Sequence, residues 1–183
     1  MHRLDLAADE GNLFTNAADN PIGYKDPLGL VVEPVLVPTP NGMQIRYFDT
    51  AIVLDLMAAL AEAKATGIPI QITSAFRTLQ EHADIRAHPR GYPVAQGASY
   101  HEAGLAFDFN RQILTATRRR TWLQIAARHG FCEDVADDPI HLQIRHIQEY
   151  GYGSLDEAIR HNQRSRLDAY LAQRAGERLS GRK

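Results

Sequence analysis

The sequence predicts an α+β fold, and three stretches carry that prediction. From about Thr50 to Thr66, Val53, Met57, Leu60 and Ala61 recur at helical spacing. Between Leu105 and Phe109, and again between His141 and Arg145, large apolar residues alternate with other types at the two-residue period of a strand. A chain of 183 residues is long enough for one ordinary domain and little more. Its 44% hydrophobic content is enough to build a core.

Taken in order, residues 1–30 are dense in Gly, Asn, Asp and Pro and show no sustained period. They end in Pro21-Ile22-Gly23-Tyr24-Lys25-Asp26-Pro27-Leu28-Gly29-Leu30, a turn-rich run. Val31 to Pro40 is apolar but broken by Pro34, Pro38 and Pro40, which suits an extended linker or an edge strand. Leu56 and Ala63 widen the stripe of the helix from Thr50, and Gly67 stops it. Ile68 to Thr73 reads as a short strand leading into Ser74-Ala75-Phe76-Arg77. A helix follows from Leu79 to about Ala87, then a Pro/Gly loop from Pro89 to Gly97.

Leu105, Phe107 and Phe109 form the packed face of the next strand, with Asp108 on the other. Residues 117–129 read as a helix with Trp122, Ile125, Ala126 and His129 on one face and Gly130 closing it. That places Trp122 in the core and gives His129 a core or supporting position. In the strand from His141, Leu142 and Ile144 point inward and His141 points to the opposite face. From Leu155 onward the chain reads as charged helix. His82 and His88 read as surface groups, Arg118-Arg119-Arg120 as a solvated helix start, and Cys132 as a small buried apolar residue.

The most informative stretch is Ser99-Tyr100-His101-Glu102-Ala103-Gly104-Leu105-Ala106-Phe107-Asp108, with His141 about thirty residues on. Two His and one Asp are a ligand set that suits zinc and leaves a coordination position open for water. Seven residues of helix rise roughly 10 Å, and seven of strand span about 23 Å, both too far for one ion. The chain must therefore bend between His101 and Asp108, and Gly97 and Gly104 permit it. Strands presenting Asp108 and His141 on one face, with His101 on the entry loop, would make a metal cleft.

The totals exclude several classes. A formal net charge of −2 disfavours a general nucleic-acid binder, which is usually basic. The single Cys132 allows neither an internal disulfide nor a Cys-rich zinc site. No apolar run approaches the roughly 20 residues of a membrane span, and the first residues show no apolar signal-peptide core.

Ser74-x-x-Arg77, Ser99-x-His101-x-x-Gly104-x-Ala106-x-Asp108 and Asp138-Pro139-x-His141 occur in the order and arrangement that resemble the D-alanyl-D-alanine carboxypeptidase group of zinc peptidases. This LAS-type group includes vancomycin-resistance-type (VanY-like) carboxypeptidases and phage endolysin L-Ala-D-Glu peptidases, and the resemblance spans roughly residues 45–145. It implies a small antiparallel sheet flanked by helices and a catalytic core of about 45–150. It also implies Zn²⁺ bound by His101, Asp108 and His141, Asp138 as general base, and Arg77 and Ser74 holding a substrate carbonyl or carboxylate. The implied substrate is the stem peptide of bacterial cell wall, cut by a D,D-carboxypeptidase or an endopeptidase.

Two positions depart from the family pattern. The base is commonly Glu in the carboxypeptidases and Asp in some endopeptidases, so Asp138 leans toward the latter. The aromatic usually found just before the last ligand is Ile140 here. Within the residues themselves, Asp137 and Glu133 stand close enough to Asp138 to serve as base instead. Arg77 has a surface salt bridge as its plain alternative, and Ser74 a cap on the helix that follows.

Pro21 to Leu30 fits P-x-x-x-x-D-P-x-G-L and follows Asn12-Leu13-Phe14. This resembles the end of the core of rearrangement-hotspot (Rhs) polymorphic toxins, which enclose a C-terminal toxin and cut themselves after the final Leu. The resemblance implies a junction at Leu30-Val31 and a released toxin over 31–183. It further implies a cognate immunity protein, an Rhs core shell, and secretion machinery of the type VI kind. A toxin of this kind is made in the cytoplasm and acts in the periplasm of the target cell. Two other functions compete. A metal-dependent nuclease toxin is disfavoured by the charge and by two imidazoles, which fit zinc better than magnesium. A non-catalytic zinc-binding interaction module would not need a carboxylate at Asp138.

Overall fold

The computed structural model describes residues 32–88, 95–135 and 138–164. The turn-rich N-terminal run with Leu30 and Val31, most of the loop after Pro89, Asp137, and residues 165–183 lie outside the described residues.

The chain opens with a hairpin of β1 (Val32–Thr39) and β2 (Gly42–Asp49), antiparallel and in unbroken register from Val32↔Asp49 to Thr39↔Gly42. Pro34 and Pro38 are tolerated because β1 pairs with β2 alone among the described strands, so a missing N–H breaks no second ladder. The predicted extended segment is thus half of a hairpin. Its partner β2 was not foreseen, because its alternating Met43 and Ile45 face solvent while Phe48 faces the core.

Helix α1 (Thr50–Ala65) follows directly, with Ile52, Val53, Leu56, Ala59, Leu60 and Ala63 buried. Asp49 caps it by accepting from the Ala51 amide at 2.8 Å. Strand β3 (Ile72–Ser74) is shorter than the predicted Ile68–Thr73, since residues 68–71 make no ladder. Helix α2 (Leu79–Ala87) starts in a capping box, Thr78 and Glu81 satisfying each other's backbone amides. The cap is therefore Thr78, and Ser74 is released from that role.

Strands β4 (Ala106–Phe109), β5 (Phe131–Cys132) and β6 (His141–Ile144) join β3 in an antiparallel sheet ordered β3-β4-β6-β5. Helix α3 (Ala116–Arg128) lies between β4 and β5 in sequence, and its Trp122 is fully buried against the sheet. Phe107 meets Phe131 edge-on at 5.2 Å between ring centroids, and Phe109 meets Trp122 at 6.1 Å. Every residue of β4 and β6 is buried, so both faces of these central strands are covered. Residues 155–164 form a further helix. The result is an α+β fold with a small antiparallel sheet flanked by helices.

The end of the hairpin packs closely on the turn before β4 at a glycine. Gly104 has φ +70°, and a Cβ there would sit 2.9 Å from the Asp49 amide nitrogen. That amide donates to the Gly104 carbonyl at 3.0 Å. Gly104→Ala is expected to destabilise the fold by about 1–3 kcal/mol through left-handed backbone strain and the clash. Urea unfolding checks this, and an unchanged midpoint would contradict it.

Candidate metal centre

Two of the candidate ligands come from the sheet and one from a turn. Asp108 and His141 are register partners across β4 and β6, so their side chains emerge side by side. His101 sits in the turn over 100–104, closed by Leu105 N donating to Tyr100 O at 2.9 Å and Gly104 N to His101 O at 3.1 Å. The positive φ of Gly104 ends this turn and lets the chain swing into β4. This is the bend that the seven-residue spacing required.

The three donor atoms form a nearly equilateral triangle. His101 Nε2 lies 3.1 Å from both Asp108 Oδ1 and His141 Nδ1, and His141 Nδ1 lies 3.2 Å from Asp108 Oδ1. The outer nitrogen of each ring has its own partner. His101 Nδ1 is 2.7 Å from the Ala75 carbonyl oxygen, and His141 Nε2 is 3.1 Å from Gln143 Oε1. Those oxygens accept hydrogen bonds, so the outer nitrogens carry the protons and, in neutral rings, both inner nitrogens present lone pairs. Burial lowers the His101 pKa and favours that neutral form. Two lone pairs and a carboxylate oxygen then face one point with no proton among them.

A cation resolves that arrangement. Tetrahedral zinc with bonds of 2.0–2.1 Å would set neighbouring donors about 3.3 Å apart, close to the separations observed. The residues thus fit zinc by donor chemistry and by spacing, and His101, Asp108 and His141 could hold a metal ion. The outer hydrogen bonds to Ala75 and Gln143 orient the rings, as such partners do around metal-bound imidazoles.

Asp108 is also tied on its far side. Arg77 Nη2 donates to Asp108 Oδ2 at 2.6 Å and to Ser74 Oγ at 2.8 Å, while Arg77 Nε donates to Ser74 Oγ at 3.0 Å. Burial alone would raise the Asp108 carboxyl; with ring protons on His101 and His141 facing it, and with the Arg77 guanidinium, it is held well below the usual carboxylate range, and in neutral rings a cation would take the place of those protons. Ser74 stands opposite Asp108 in the β3–β4 pairing, so all three expected polar groups meet along one sheet edge. The plain alternative of a surface salt bridge for Arg77 gives way to a partly buried pair with the Asp108 carboxylate.

Asp138 lies at the start of the turn into β6, where its carbonyl accepts from the His141 amide at 3.3 Å. Its side chain borders an open cleft with Arg119, Glu133, Val135 and Pro139. Burial and the nearby Asp108 charge push its carboxyl up. Glu133 is bound to Arg119, which also reaches the Pro139 carbonyl, so Arg119 is less free than a solvated helix start.

Several groups were missed or misplaced by sequence. His82 is buried rather than on the surface, with Nδ1 2.7 Å from Glu102 Oε1, while Glu102 Oε2 accepts from the Ser99 amide at 2.9 Å. His129 leaves the core and pairs with Glu62 at 2.9 Å beside Arg128. His88 is exposed as expected, and Cys132 is a free, half-buried thiol. Gln143 was the most accessible omission, lying two residues beyond His141 on the same strand face.

No protein-family profile matches the chain, and no curated protein does. Among solved structures, it is similar to a Zn(II) complex of the vancomycin-resistance D,D-pentapeptidase VanY from a VanB-type resistance cassette, at 23% identity and a TM-score of 0.44, covering 69% of this chain and 90% of that one. It is similar also to VanYB in complex with D-alanine-D-alanine, at 22% identity and a TM-score of 0.44, covering 73% and 86% respectively.

His101→Ala is expected to abolish tight zinc binding. Gln143→Ala should keep the fold and weaken zinc by about 10–100-fold, the usual effect of removing a group that orients a ligand. Titration against a chromophoric chelator measures both, and wild-type affinity in either variant would contradict the assignment.

Proposed function

We propose that the chain is a zinc-dependent peptidase that hydrolyses stem peptides or cross-links of bacterial peptidoglycan. The observation that carries this reading is the buried triangle of His101 Nε2, Asp108 Oδ1 and His141 Nδ1, with edges of 3.1–3.2 Å and the outer nitrogen of each ring already facing an oxygen. The motif resemblance over residues 45–145 supplies the substrate class.

Zinc held by these residues would polarise a carbonyl and bring the pKa of water toward about 7. The chain's own groups complete the hydrolysis. Asp138 takes the proton of the attacking water and delivers it to the departing amine; burial and the Asp108 charge raise its carboxyl, which makes it a stronger base than an ordinary aspartate. Arg77 stays charged through the cycle and offers hydrogen bonds to a developing oxyanion or a terminal carboxylate. Its side chain is 21% exposed, so substrate can reach it, and Nη1 is not among the atoms bonded to Ser74 and Asp108. Ser74 and Asp108 fix the guanidinium plane for that contact.

The biological setting in this reading is an antibacterial effector. Residues 1–30 carry the P-x-x-x-x-D-P-x-G-L run of an Rhs core end, which supports release after Leu30 of a toxin beginning at Val31. Such an effector is exported by secretion machinery, acts in the periplasm of the target cell, and is neutralised in its producer by an immunity protein. No helix among the described residues is long and apolar enough to cross a membrane.

Incubating zinc-loaded protein with purified sacculi and reading the product masses tests the proposal. Loss of terminal D-alanine marks a carboxypeptidase, and conversion of cross-linked dimers to monomers an endopeptidase. Asp138→Asn should retain zinc and lose about 10²–10⁴-fold in turnover. Unchanged muropeptides with fully zinc-loaded protein would overturn the reading, and full turnover in Asp138→Asn would move the base elsewhere.

A further inference from the structure

The helix over 155–164 has no part in the chemistry above, yet one of its side chains reaches both loops that carry the site. Gln163 Nε2 donates to the Arg77 carbonyl at 3.0 Å and to the Glu102 carbonyl at 2.8 Å. Gln163 Oε1 accepts from the Leu79 amide at 3.2 Å. The two loops already touch through Arg77 N donating to His101 O at 3.0 Å. A primary amide has two donor hydrogens and an acceptor, and here both hydrogens and the oxygen are engaged. Leu79 opens α2, so its amide is one that no intrahelical carbonyl can satisfy.

We propose that Gln163 is a positioning residue for the metal centre, a brace that fixes the His101 turn against the Arg77 loop. The proposal deepens the metallopeptidase reading and rests on it for its consequence, though the brace itself is a property of the fold. His101 precedes Glu102 and Arg77 precedes Leu79 by two, so a shift of either backbone moves a ring nitrogen or a guanidinium by a similar amount. The neighbouring Asn162 grips the same turn from the same helix. Its Nδ2 donates to the Ala103 carbonyl and, at 2.7 Å, to Asp49 Oδ2, which also accepts from Tyr152 Oη at 2.6 Å. Of these two helix residues, Asn162 ties the turn to the hairpin, whereas Gln163 spans the two functional loops. Leucine at 163 would keep the volume and lose all three bonds. Glutamate would keep the acceptor for Leu79 but set carboxylate oxygens against two carbonyls.

Amide hydrogen exchange on the metal-free full chain, followed by zinc titration, tests this. In Gln163→Leu the amides of Arg77 and Leu79 should exchange about tenfold faster or more, with Phe109 in β4 unchanged. In Gln163→Glu the Arg77 amide should speed up while Leu79 stays protected. Both variants should fold, bind zinc about tenfold more weakly and show an altered visible spectrum with cobalt(II). Wild-type exchange at Arg77 in both variants, or protection lost equally at Phe109, would overturn the brace. A wild-type chain that takes up no zinc, with the loop exchange responding as described, would leave the brace standing and remove the metallopeptidase reading instead.

Discussion

Two imidazole nitrogens and a carboxylate oxygen meet at 3.1–3.2 Å in a buried site, and much of this structure serves to keep them there. The β4–β6 register sets Asp108 beside His141. The Gly104 turn returns His101 to the same point, and the Ala75 carbonyl and Gln143 fix which nitrogen of each ring faces inward. Placing three acceptors in a buried site costs stability unless a positive charge joins them. A divalent cation answers that cost and, with three protein donors, keeps a position open for chemistry.

Arg77 divides its guanidinium between structure and reaction. Its Nη2 bond to Asp108 Oδ2 compensates the carboxylate from the side away from the rings, and Ser74 holds Nε and Nη2 in one plane. The pair lowers the charge felt by a metal's ligand set without adding a proton to it. Across the site, Asp138 occupies the opposite electrostatic condition: burial and the Asp108 charge favour its protonated form. Two carboxyls pushed in opposite directions within one site are a common basis for assigning separate roles to each.

How much of this was legible in the sequence follows the range of the interactions involved. The helices α1 and α3 were read to within a residue or so because their apolar period is local, and α2 was bounded correctly although its cap is Thr78 and not Ser74. Asp108 and His141 were placed on strands by alternation over a few neighbours, and the need for a bend after His101 followed from chain geometry alone. The hairpin partner β2 escaped because its alternation displays Met43 and Ile45 outward, so that the apolar face is not the core face. His82 was misread because α2 buries only that one residue and its partner Glu102 lies twenty positions away. Gln163 was invisible for the same reason at longer range, a polar residue in a charged helix whose partners stand 61 to 86 residues back. Local pattern reports propensity and burial, whereas polar pairing between distant segments exists only once the chain is folded.

X-ray absorption at the zinc edge of the loaded protein tests the central claim most directly. A single zinc with a shell of nitrogen and oxygen donors at about 2.0–2.1 Å, and the outer-shell scattering of two imidazoles that disappears by half in His141→Ala, is the result this structure predicts. A zinc shell without imidazole scattering, or one untouched by that substitution, would contradict it.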